Sequence, residues 1–548
     1  MSNPFVIPES NKKIFLHPSY ENIPGLINRN SDTFRSYSFK INHQPFSLFR
    51  ERVRSVTLKQ AGEYSQNIWT LCSKLRIGYD SNFSPRNASC TPESKIIQTG
   101  HAPVFVHPGV LIKYALINNI ANKVEGVGLN MVVDNDTFHN NTLDIPNING
   151  LHSTLEKIPF LTRVRSTAFE EICYTTPTEL KSLREKVLQF IRNPEMERSF
   201  IEFMNIMETL HNDIHHYRDL FTFTRHVYLQ RFNMNNLEIP VSLICDTKPF
   251  SEFFLHIVKN LKIFVEIYNT ELDRYRKQKN IRSRANPLPD LERQGETIEL
   301  PFWIWGENKP RERLFASVTS ERRVSLIYQR DIIANLNFGI ENSLLENLMT
   351  LNHIKEAGFR IRPRAIINTM YARMFVCDLF VHGIGGAKYD LITDEIIKKF
   401  FKVEPPGYAA ISATLHLPYD QYDVSPADAD GLRQIIKKMN QHPENYGSPE
   451  IMKEPSMQSM IAEKNRLITA ETDNQEEKQQ IFNQLKKLKT LMKEKISPLI
   501  REKENELKHL QKKLDYNSLI TNREYPFCIY PEPVLRELFS LPPFSTTK

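Results

Sequence analysis

Residues 374–401, MFVCDLFVHGIGGAKYDLITDEIIKKFF, carry the pattern that best indicates the fold. Residues 376–381 are almost entirely apolar, which is typical of a short strand buried on both faces of a sheet. Residues 382–390 then predict a loop, because their glycines tolerate positive φ and the close approach of a ligand. From Leu391 to Phe401 apolar residues recur at helical spacing, which predicts a helix. A helix that begins at a glycine-rich loop presents free backbone amides, and this arrangement binds anions.

The glycine-rich loop matches neither of two common phosphate-binding motifs. GIGGAK at 383–388 lacks the third glycine of GxGxxG, and it does not end in GK followed by Ser or Thr. A tight turn that needs glycine only for its geometry is the simpler alternative. Polar side chains crowd the loop between apolar flanks, however, and this favours a binding site. The candidate residues of the loop are His382, Gly383, Gly385, Gly386, Lys388, Tyr389 and Asp390.

Composition sets broad limits on function. The 548 residues are 40% hydrophobic, enough for a large core, and the formal charge of +7 is a mild excess over a long chain. Such an excess does not by itself indicate nucleic acid. Six scattered cysteines without a CxxC pair indicate reduced thiols, a cytoplasmic location and no cysteine-rich metal site. No signal peptide or membrane span is recognisable, so we expect a soluble protein.

A second informative stretch, residues 96–141, predicts a β-α-β unit. A strand ends at Ile97, residues 110–121 have the periodicity of a buried helix, and residues 129–133 form the next strand. Two strands joined through a helix are parallel, and ligands of parallel sheets bind beyond the carboxyl ends of the strands. The candidate site residues that follow these strands are Thr99, Gly100, His101, His107, Asp134, Asp136 and His139.

These residue types suit several kinds of chemistry. His101 and His107 could bind phosphate or transfer protons near neutral pH, and Lys113 could neutralise an anion from the first turns of the helix. Asp134 and Asp136 could hold Mg²⁺ or orient an amine. Each residue also has a purely structural interpretation, because histidine beside proline and Asp-Asn sequences are common in turns. Their shared position at strand ends favours a functional role.

The rest of the chain predicts a helical region, an arginine site and a long arm. Residues 161–266 are mostly helical in pattern, and Arg362 in RIRPRA could meet a carboxylate or phosphate in bidentate fashion. Residues 457–514 repeat apolar side chains in steps of three and four among Lys and Glu. This predicts a coiled coil, interrupted by a Ser-Pro pair, and a homodimer formed through it. Acidic residues interleave with the basic ones, so nucleic acid binding is disfavoured.

The order of these landmarks resembles the bacillithiol synthase family, the cysteine ligases assigned to bacillithiol biosynthesis. That family has a Thr-Gly-Gln-Gln loop with a Gly-Pro pair and a lysine downstream, and similar residues here are Thr99, Gly100, His101, His107, Pro108 and Lys113. Later landmarks are an acidic loop with a histidine, an Arg-Pro pair, a Gly-Gly turn, prolines and a Ser-x-Thr-Leu strand. Their counterparts are Asp134, Asp136, His139, Arg362, Pro363, Gly385, Gly386, Pro405, Pro406 and residues 412–415.

Two departures from the family pattern fall in the expected pocket. His101 stands where the family has Gln, and Ala387 and Lys388 replace a proline and its acidic neighbours. The resemblance implies an α/β fold with a Rossmann-like, mostly parallel sheet, helical insertions and a C-terminal coiled-coil arm. The predicted domains are a helical lead-in at 1–95, the Rossmann-like core at 96–440 with a helical insertion at about 161–270, the coiled-coil arm at 450–516, and a segment at 517–548 that packs back on the core.

The resemblance also implies a ligase-type enzyme that joins an amino acid, cysteine in that family, to the amine of a small anionic or sugar-derived acceptor. His101, His107 or Asp136 would transfer protons, and activation of the carboxyl group would require a nucleotide, for which no standard loop is visible. The predicted substrate-binding residues are Thr99, Gly100, Lys113, Asp134, His139, Arg362, Gly383, Gly385, Gly386, Lys388, Tyr389 and Asp390. Two alternatives stay open: a non-catalytic dimeric protein that binds a metabolite or serves as a scaffold, and a nucleotidyltransferase-like enzyme.

Overall fold

The structure is a computed structural model that describes residues 5–77, 91–138, 141–161, 167–173, 176–307, 309–320, 322–339 and 343–542. The predicted site residue His139 lies outside these ranges. The chain forms two compact units. Unit 1 comprises residues 1–145, 156–416 and 523–548, and unit 2 comprises residues 146–155 and 417–522.

Strands and helices are numbered here in chain order. The strands are β1 (Lys13–His17), β2 (Lys40–Ile41), β3 (Gln44–Pro45), β4 (Ile96–His101), β5 (Val127–Val132), β6 (Thr142–Asn147), β7 (Thr154–Pro159), β8 (Leu237–Pro240), β9 (Arg293–Gln294), β10 (Thr297–Trp305), β11 (Glu312–Ser320), β12 (Arg323–Tyr328), β13 (Asp331–Asn337), β14 (Arg360–Pro363), β15 (Leu379–His382) and β16 (Ala409–Thr414). The helices are α1 (Ile23–Arg35), α2 (Phe46–Leu75), α3 (Pro108–Lys123), α4 (Pro177–Leu188), α5 (Pro194–His211), α6 (Tyr217–Gln230), α7 (Val241–Cys245), α8 (Lys248–Lys259), α9 (Leu261–Gln278), α10 (Ser343–Glu356), α11 (Ala365–Tyr371), α12 (Ile384–Phe400), α13 (Pro426–Gln441), α14 (Pro449–Lys453), α15 (Pro455–Ile468), α16 (Gln475–Lys495), α17 (Ser497–Ile520) and α18 (Glu532–Ser540).

Unit 1 is built on a sheet whose strands stand in the order β1-β16-β15-β4-β5-β8. Neighbouring strands are parallel except for β1, which pairs antiparallel with β16. Strands β5, β8, β15 and β16 are buried along their whole length, as parallel strands covered on both faces must be. The predicted β-α-β unit is confirmed as β4, α3 and β5, and so is the α/β class with a mostly parallel sheet.

This sheet contains a point at which the strand order reverses. Strands β5 and β8 follow β4 toward one edge, whereas β15 and β16 lie on the other side of β4. Val381 of β15 is the register partner of Thr99 of β4, so the carboxyl ends of both strands lie side by side. Open α/β sheets bind their ligands beyond the strand ends at such a point.

Two regions predicted to be helical contribute strands to this sheet. Strand β1 lies in the lead-in at 1–95 and forms the edge beside β16, and β8 lies in the insertion at about 161–270 and extends the sheet beyond β5. These strands have five and four residues, which is too short for a periodic pattern to reveal them. More than half of the described residues of both regions are nevertheless helical, in α1 and α2 and in α4 to α9.

A second sheet of unit 1 is antiparallel, in the order β13-β12-β11-β10-β14, with β9 beside β10. Strand β10, which contains Trp303 and Trp305, pairs antiparallel with β11. Leu300 and Leu326 of this sheet belong to the same hydrophobic core as Leu129 of the parallel sheet. One core therefore supports both sheets.

The structure of residues 374–401 differs in two places from the predicted order of strand, loop and helix. Strand β15 begins only at Leu379, and the residues before it form α11 and a turn of π-helix, Ala372–Val376. Short apolar runs do not distinguish a buried helix from a buried strand. Helix α12 begins directly after Gly383, so Gly385 to Asp390 lie in a helix rather than in a loop. Gly383 has φ −78°, so its backbone does not use the positive φ that glycine tolerates.

Unit 2 is helical in its described residues outside the segment at 146–155. Its core consists of Met439 of α13, Met457 of α15, Met492 of α16, and Ile496 and Ile500 at the junction of α16 and α17. The predicted break is present, because α17 begins at the Ser-Pro pair. The segment predicted as a coiled coil packs on α13 of the same chain, so part of its apolar stripe is covered within unit 2.

Across the part of the chain that the structure describes, no helix combines the length and apolar character needed to cross a membrane. The described cysteines are free thiols: Cys72, Cys173, Cys245, Cys377 and Cys528.

Candidate active site

A cleft of unit 1 lies where the strand order reverses, beyond the ends of β4 and β15. It has two chambers, and the residues that line both are Gly100, His101, Phe380, His382, Tyr389 and Glu524. The smaller, of about 330 Å³, is lined by Lys113, Arg523 and the first turn of α12, and is called the basic chamber. The larger, of about 580 Å³, is lined by aromatic and acidic side chains, and is called the aromatic chamber. Residues from both candidate segments of the sequence, the loop after β4 and the glycine-rich stretch at 383–386, line the basic chamber.

The first turns of two helices line the basic chamber. Helix α3 starts after its N-cap His107, and α12 starts after Gly383. The start of α12 has no side-chain cap, and a β-carbon added at Gly383 or Gly385 would meet nothing within 4 Å. The backbone there is open to a ligand, and the positive ends of both helix dipoles favour an anion.

Two cationic side chains add to the positive electrostatic potential that the helix ends create in the basic chamber. Lys113 Nζ donates to the carbonyl oxygen of Gly100 at 2.8 Å, and Arg523 Nη2 donates to Ser412 Oγ at 2.8 Å. Lys113 is buried, and burial, followed by repulsion from Arg225, lowers its pKa to about 7. An amine with a pKa near the surrounding pH can accept or release a proton during a reaction.

His101 and His107 are neutral hydrogen-bonding groups near pH 7. Burial, reinforced by cationic neighbours, lowers the pKa of each to about 3, far from the value that suits proton transfer at neutral pH. His101 Nδ1 lies 3.1 Å from the carbonyl oxygen of Ala102, which assigns a proton to Nδ1 and leaves Nε2 as an acceptor. His107 Nδ1 accepts from the amide of Gly109 at 3.1 Å, and its Nε2 lies 3.4 Å from Glu524. His107 therefore caps α3, whereas His101 offers a free acceptor atom.

His382 lines both chambers, and Asp390 holds its imidazole ring in place. Its Nε2 lies 2.9 Å from Asp390 Oδ2, and the same carboxylate accepts from Arg373 Nη1 at 2.5 Å. Burial acts to raise the pKa of Asp390, but Arg373 and His382 outweigh it and bring the pKa to about 2. Asp390 was predicted to bind substrate; the structure instead buries it completely behind His382, where it orients the imidazole ring.

Asp136 and Asp144 are carboxylates of the aromatic chamber, in addition to Glu524, which lines both chambers. Asp136 Oδ1 accepts from Arg311 Nη1 at 3.1 Å, and the Arg311 guanidinium lies 4.4 Å from the ring centre of Trp303. Asp144 Oδ1 is buried without a hydrogen-bond partner among the described residues. A buried carboxylate oxygen favours a donor beside it. This chamber therefore suits an amine or ammonium group.

Two residues predicted to bind substrate are engaged elsewhere in unit 1. Arg362 forms a bidentate pair with Glu170, with both N–O distances 2.8 Å. Asp134 accepts from Arg218 at 3.0 Å and from the amide of Ser242 at 2.9 Å. Both side chains are buried, and neither is among the residues that line the two chambers. Among the described residues, no group of three or more His, Cys, Asp or Glu side chains is placed to hold a metal ion.

Thr99 and Lys388 also stand outside the residues that line the cleft. Thr99 Oγ1 donates to the carbonyl oxygen of Val381 at 2.8 Å, so it ties β4 to β15. Lys388 was predicted to share a loop with Tyr389, but in a helix successive side chains point in different directions. Only Tyr389 of this pair lines the chambers, and burial raises its pKa to about 12.

No model of a known protein family matches the chain. No curated protein matches it either. The chemistry of the cleft is therefore inferred from its own residues.

Three residues of the cleft carry no signal of their own in the sequence: Asp144, Arg523 and Glu524. Asp144 lies on β6, and the Arg-Glu pair lies within the C-terminal segment at 517–548. That segment is anchored beside the cleft, where the Phe527 amide donates to the carbonyl oxygen of Val106 at 2.8 Å. The sequence predicts that the C-terminal segment packs back on the core. That prediction is the signal from which Arg523 and Glu524 could have been considered as site residues.

Proposed function

We propose that unit 1 is a ligase-type enzyme that joins an amino acid to the amine of a small anionic or sugar-derived acceptor. One observation supports this most: a basic chamber and an acidic, aromatic chamber meet at His101 within one cleft. The basic chamber suits the anionic group of the acceptor, and the carboxylates of the aromatic chamber suit the ammonium group of the amino acid. The resemblance to bacillithiol synthases favours the same class of reaction.

The reaction forms an amide bond between the acceptor nitrogen and the carboxyl carbon of the amino acid. The carboxyl group must first be activated: its oxygen attacks the α-phosphate of a nucleoside triphosphate, the bond from that phosphate to the β-phosphate breaks, and pyrophosphate leaves. The bond from the carboxyl carbon to a phosphate oxygen then breaks as the amide forms, and the nucleotide leaves. The attacking amine loses a proton, which the leaving phosphate group accepts. Lys113, whose pKa of about 7 is raised by a bound anion, stays charged and holds the anionic group of the acceptor. His101 Nε2 is available to accept a hydrogen bond from the same amine.

We also propose that the parallel sheet is Rossmann-like. If the parallel strands β4, β5, β8, β15 and β16 are numbered along the chain, their spatial order is 3-2-1-4-5. This is the order of the first five strands of that fold, and the cleft lies at its reversal point. A nucleotide cosubstrate is consistent with such a sheet, although the first strand-to-helix turn lacks the usual glycine motif.

The direct test is product analysis. The full chain is incubated with Mg-ATP, the standard amino acids and amine-bearing carboxylates, including amino sugars linked to a dicarboxylate, and the mixture is analysed by mass spectrometry. We expect a product with the combined mass of amino acid and acceptor less one water. Arg523→Gln should lose most of this product, because Arg523 lines the basic chamber. Arg466→Gln, which removes an exposed arginine of unit 2, should retain it.

Other results of this experiment would assign the cleft differently. Ligands that bind but are recovered unchanged would indicate a sensor rather than an enzyme. Release of pyrophosphate with the nucleotide attached to the acceptor would indicate nucleotidyl transfer. Either result contradicts the ligase proposal.

We propose further that α16 and α17 form a coiled coil with a second copy of the chain. The stripe of Ile481, Leu485, Leu507 and Leu510 is only half-buried, and Phe482 beside it is 60% exposed. Apolar residues at this spacing are the usual seam of such an assembly.

Charges placed in the seam should separate the dimer. We expect the double variant Ile481→Lys/Leu485→Lys to sediment as a monomer while the wild-type chain sediments as a dimer, because lysine at seam positions is costly to bury. Asn483→Lys/Gln484→Lys adds the same charges at exposed positions of the same helix and should stay dimeric. A monomeric wild type in the ultracentrifuge at micromolar concentration would rule out the dimer.

A further inference from the structure

Aromatic rings line much of the aromatic chamber. Its walls carry the rings of Phe105, Phe138, Phe160, Phe169, Phe380 and Tyr389. Phe169 and Phe380 are buried, whereas the other four are half-exposed. Half-exposed rings inside a concave cavity keep apolar surface in contact with water, and a ligand ring would remove that surface from water.

These rings already pack against one another in favourable geometry. Phe138 lies 4.4 Å from Phe169 and 5.3 Å from Phe160 between ring centres, with interplanar angles of 68° and 71°. Phe105 meets Phe160 edge to face at 5.3 Å. Edge-to-face contacts of this kind are the preferred arrangement of aromatic pairs. The walls are therefore held in place without a ligand, and one more planar ring can extend the cluster.

Polar groups of the same chamber determine which other groups of the ligand, besides its ring, can be bound. Asp144 has a buried oxygen without a partner among the described residues, and Asp136 is held in place by Arg311. Thr137 and Asn368 also line this chamber. Two carboxylates beside an aromatic wall suit a molecule with a planar ring and an ammonium group.

We infer that the amino acid accepted by this cleft has an aromatic side chain, with tryptophan and phenylalanine as its simplest representatives. This inference rests on the proposed ligase function and names its donor substrate. The side chain of cysteine, the amino acid that the family resemblance implies, has no ring to pack against the half-exposed rings of the chamber. An unfilled cavity forfeits contacts with the atoms that line it, whereas an aromatic ring supplies them.

Binding and product formation are measured separately, so that this inference and the ligase function can fail independently. Calorimetric titration of the full chain should show tryptophan and phenylalanine binding at least about tenfold more tightly than alanine and cysteine. Phe138→Ala should remove most of that preference, while Phe482→Ala, which truncates an exposed phenylalanine of unit 2, should keep it. Asp144→Asn leaves the rings in place and should weaken tryptophan but not indole, because indole has no ammonium group.

The outcomes of these measurements distinguish failure of the aromatic preference from failure of the ligase function. If cysteine is ligated as readily as tryptophan, the aromatic preference is wrong and the ligase function stands. If aromatic amino acids bind selectively but no amide product forms with any acceptor, the binding inference stands and the ligase function is wrong. If adenosine binds more tightly than tryptophan and Asp144→Asn leaves its affinity unchanged, the chamber holds a nucleobase and the inference is overturned.

Discussion

Replacement of Arg373 by methionine is expected to lower the free energy of unfolding of unit 1 by roughly 3–5 kcal/mol. The guanidinium is buried, donates to Asp390 at 2.5 Å and to Asp394 at 2.6 Å, and also bonds to the carbonyl oxygen of Pro406. It lies 4.7 Å from the ring centre of Tyr408. Methionine can fill much of the volume, but it leaves two carboxylates in a buried site without their cation.

The pH dependence of this loss of unfolding free energy distinguishes the contribution of the ion pairs from the contribution of packing. In the wild type the pKa of Asp390 is about 2, so its charge stabilises the fold above its unfolded pKa, and this contribution is lost only as the pH falls through about 2. Burial already raises the pKa of Asp394 to about 6 despite Arg373. Without the arginine, both carboxyl groups should have raised pKa values, and a carboxyl group with a raised pKa loses stability as the pH rises from about 4 to 7. The deficit of Arg373→Met should therefore grow with pH over that interval.

Urea unfolding followed by tryptophan fluorescence measures this loss, because Trp69, Trp303 and Trp305 all belong to unit 1. Arg35→Met, which removes an exposed arginine of the same unit, should change the free energy of unfolding by no more than about 0.5 kcal/mol. Adding Asp390→Asn to Arg373→Met should recover part of the loss, since the uncompensated charge is gone. A deficit that is the same at every pH would mean that packing, and not the ion pairs, is what Arg373 contributes.

The part of the fold that could be predicted from sequence is the part with long, regular patterns. The segment 96–133 combines two strands with a buried helix between them, and parallel pairing follows from that order alone. The helices of the insertion and the Ser-Pro break before α17 were also recognisable, because their apolar spacing extends over several turns. The spatial order of the strands was not, since it depends on packing between segments far apart in the chain.

The predicted glycine loop shows where local patterns fail. Glycine has low helix propensity, so three glycines in four residues at 383–386 indicate a loop. In the structure they form the first turn of α12, where the amides have no helical partners and small residues leave the backbone open toward the basic chamber. The location of the site was therefore predicted from the wrong local conformation. Lys388 and Asp390 were assigned to ligand binding on the same assumption.

Charged pairs within the core could not be predicted, because their partners are remote in sequence. Arg362 and Glu170 are 192 residues apart, and their pairing uses the guanidinium that the sequence suggested for a ligand. Arg523, which does line the basic chamber, comes from a segment more than a hundred residues beyond its partner Ser412. A single sequence shows the residue types that could bind an anion, but not which of them are already neutralised by another side chain.

An anion bound in the basic chamber is expected to lose affinity about tenfold per pH unit above about pH 7, and Lys113→Met should abolish this dependence. In the empty protein the pKa of Lys113 is about 7, chiefly because of burial and then because of Arg225. A bound anion favours the charged amine and raises that pKa, so binding above pH 7 takes up a proton. Affinity should therefore rise as the pH falls toward about 7 and become constant below it.

The other titratable groups near Lys113 do not change charge in this interval. The pKa values of His101 and His107 are about 3, and burial also lowers the pKa of His382. Arg225 and Arg523 keep their charge, as guanidinium groups do at these pH values. A change in affinity between about pH 6 and 9 is therefore attributable to Lys113.

Sulfate is the appropriate probe, because its own charge is constant over this interval, and calorimetry on the full chain gives its affinity at each pH. Lys113→Met should bind sulfate about 30-fold more weakly than the wild type near pH 6, where the wild-type amine is charged. Lys123→Met removes an exposed lysine from the same helix and should reproduce the wild-type profile. If the wild-type profile is flat and Lys113→Met binds normally, the helix N-termini and Arg523 hold the anion alone. Lys113 would then be a structural residue bonded to Gly100.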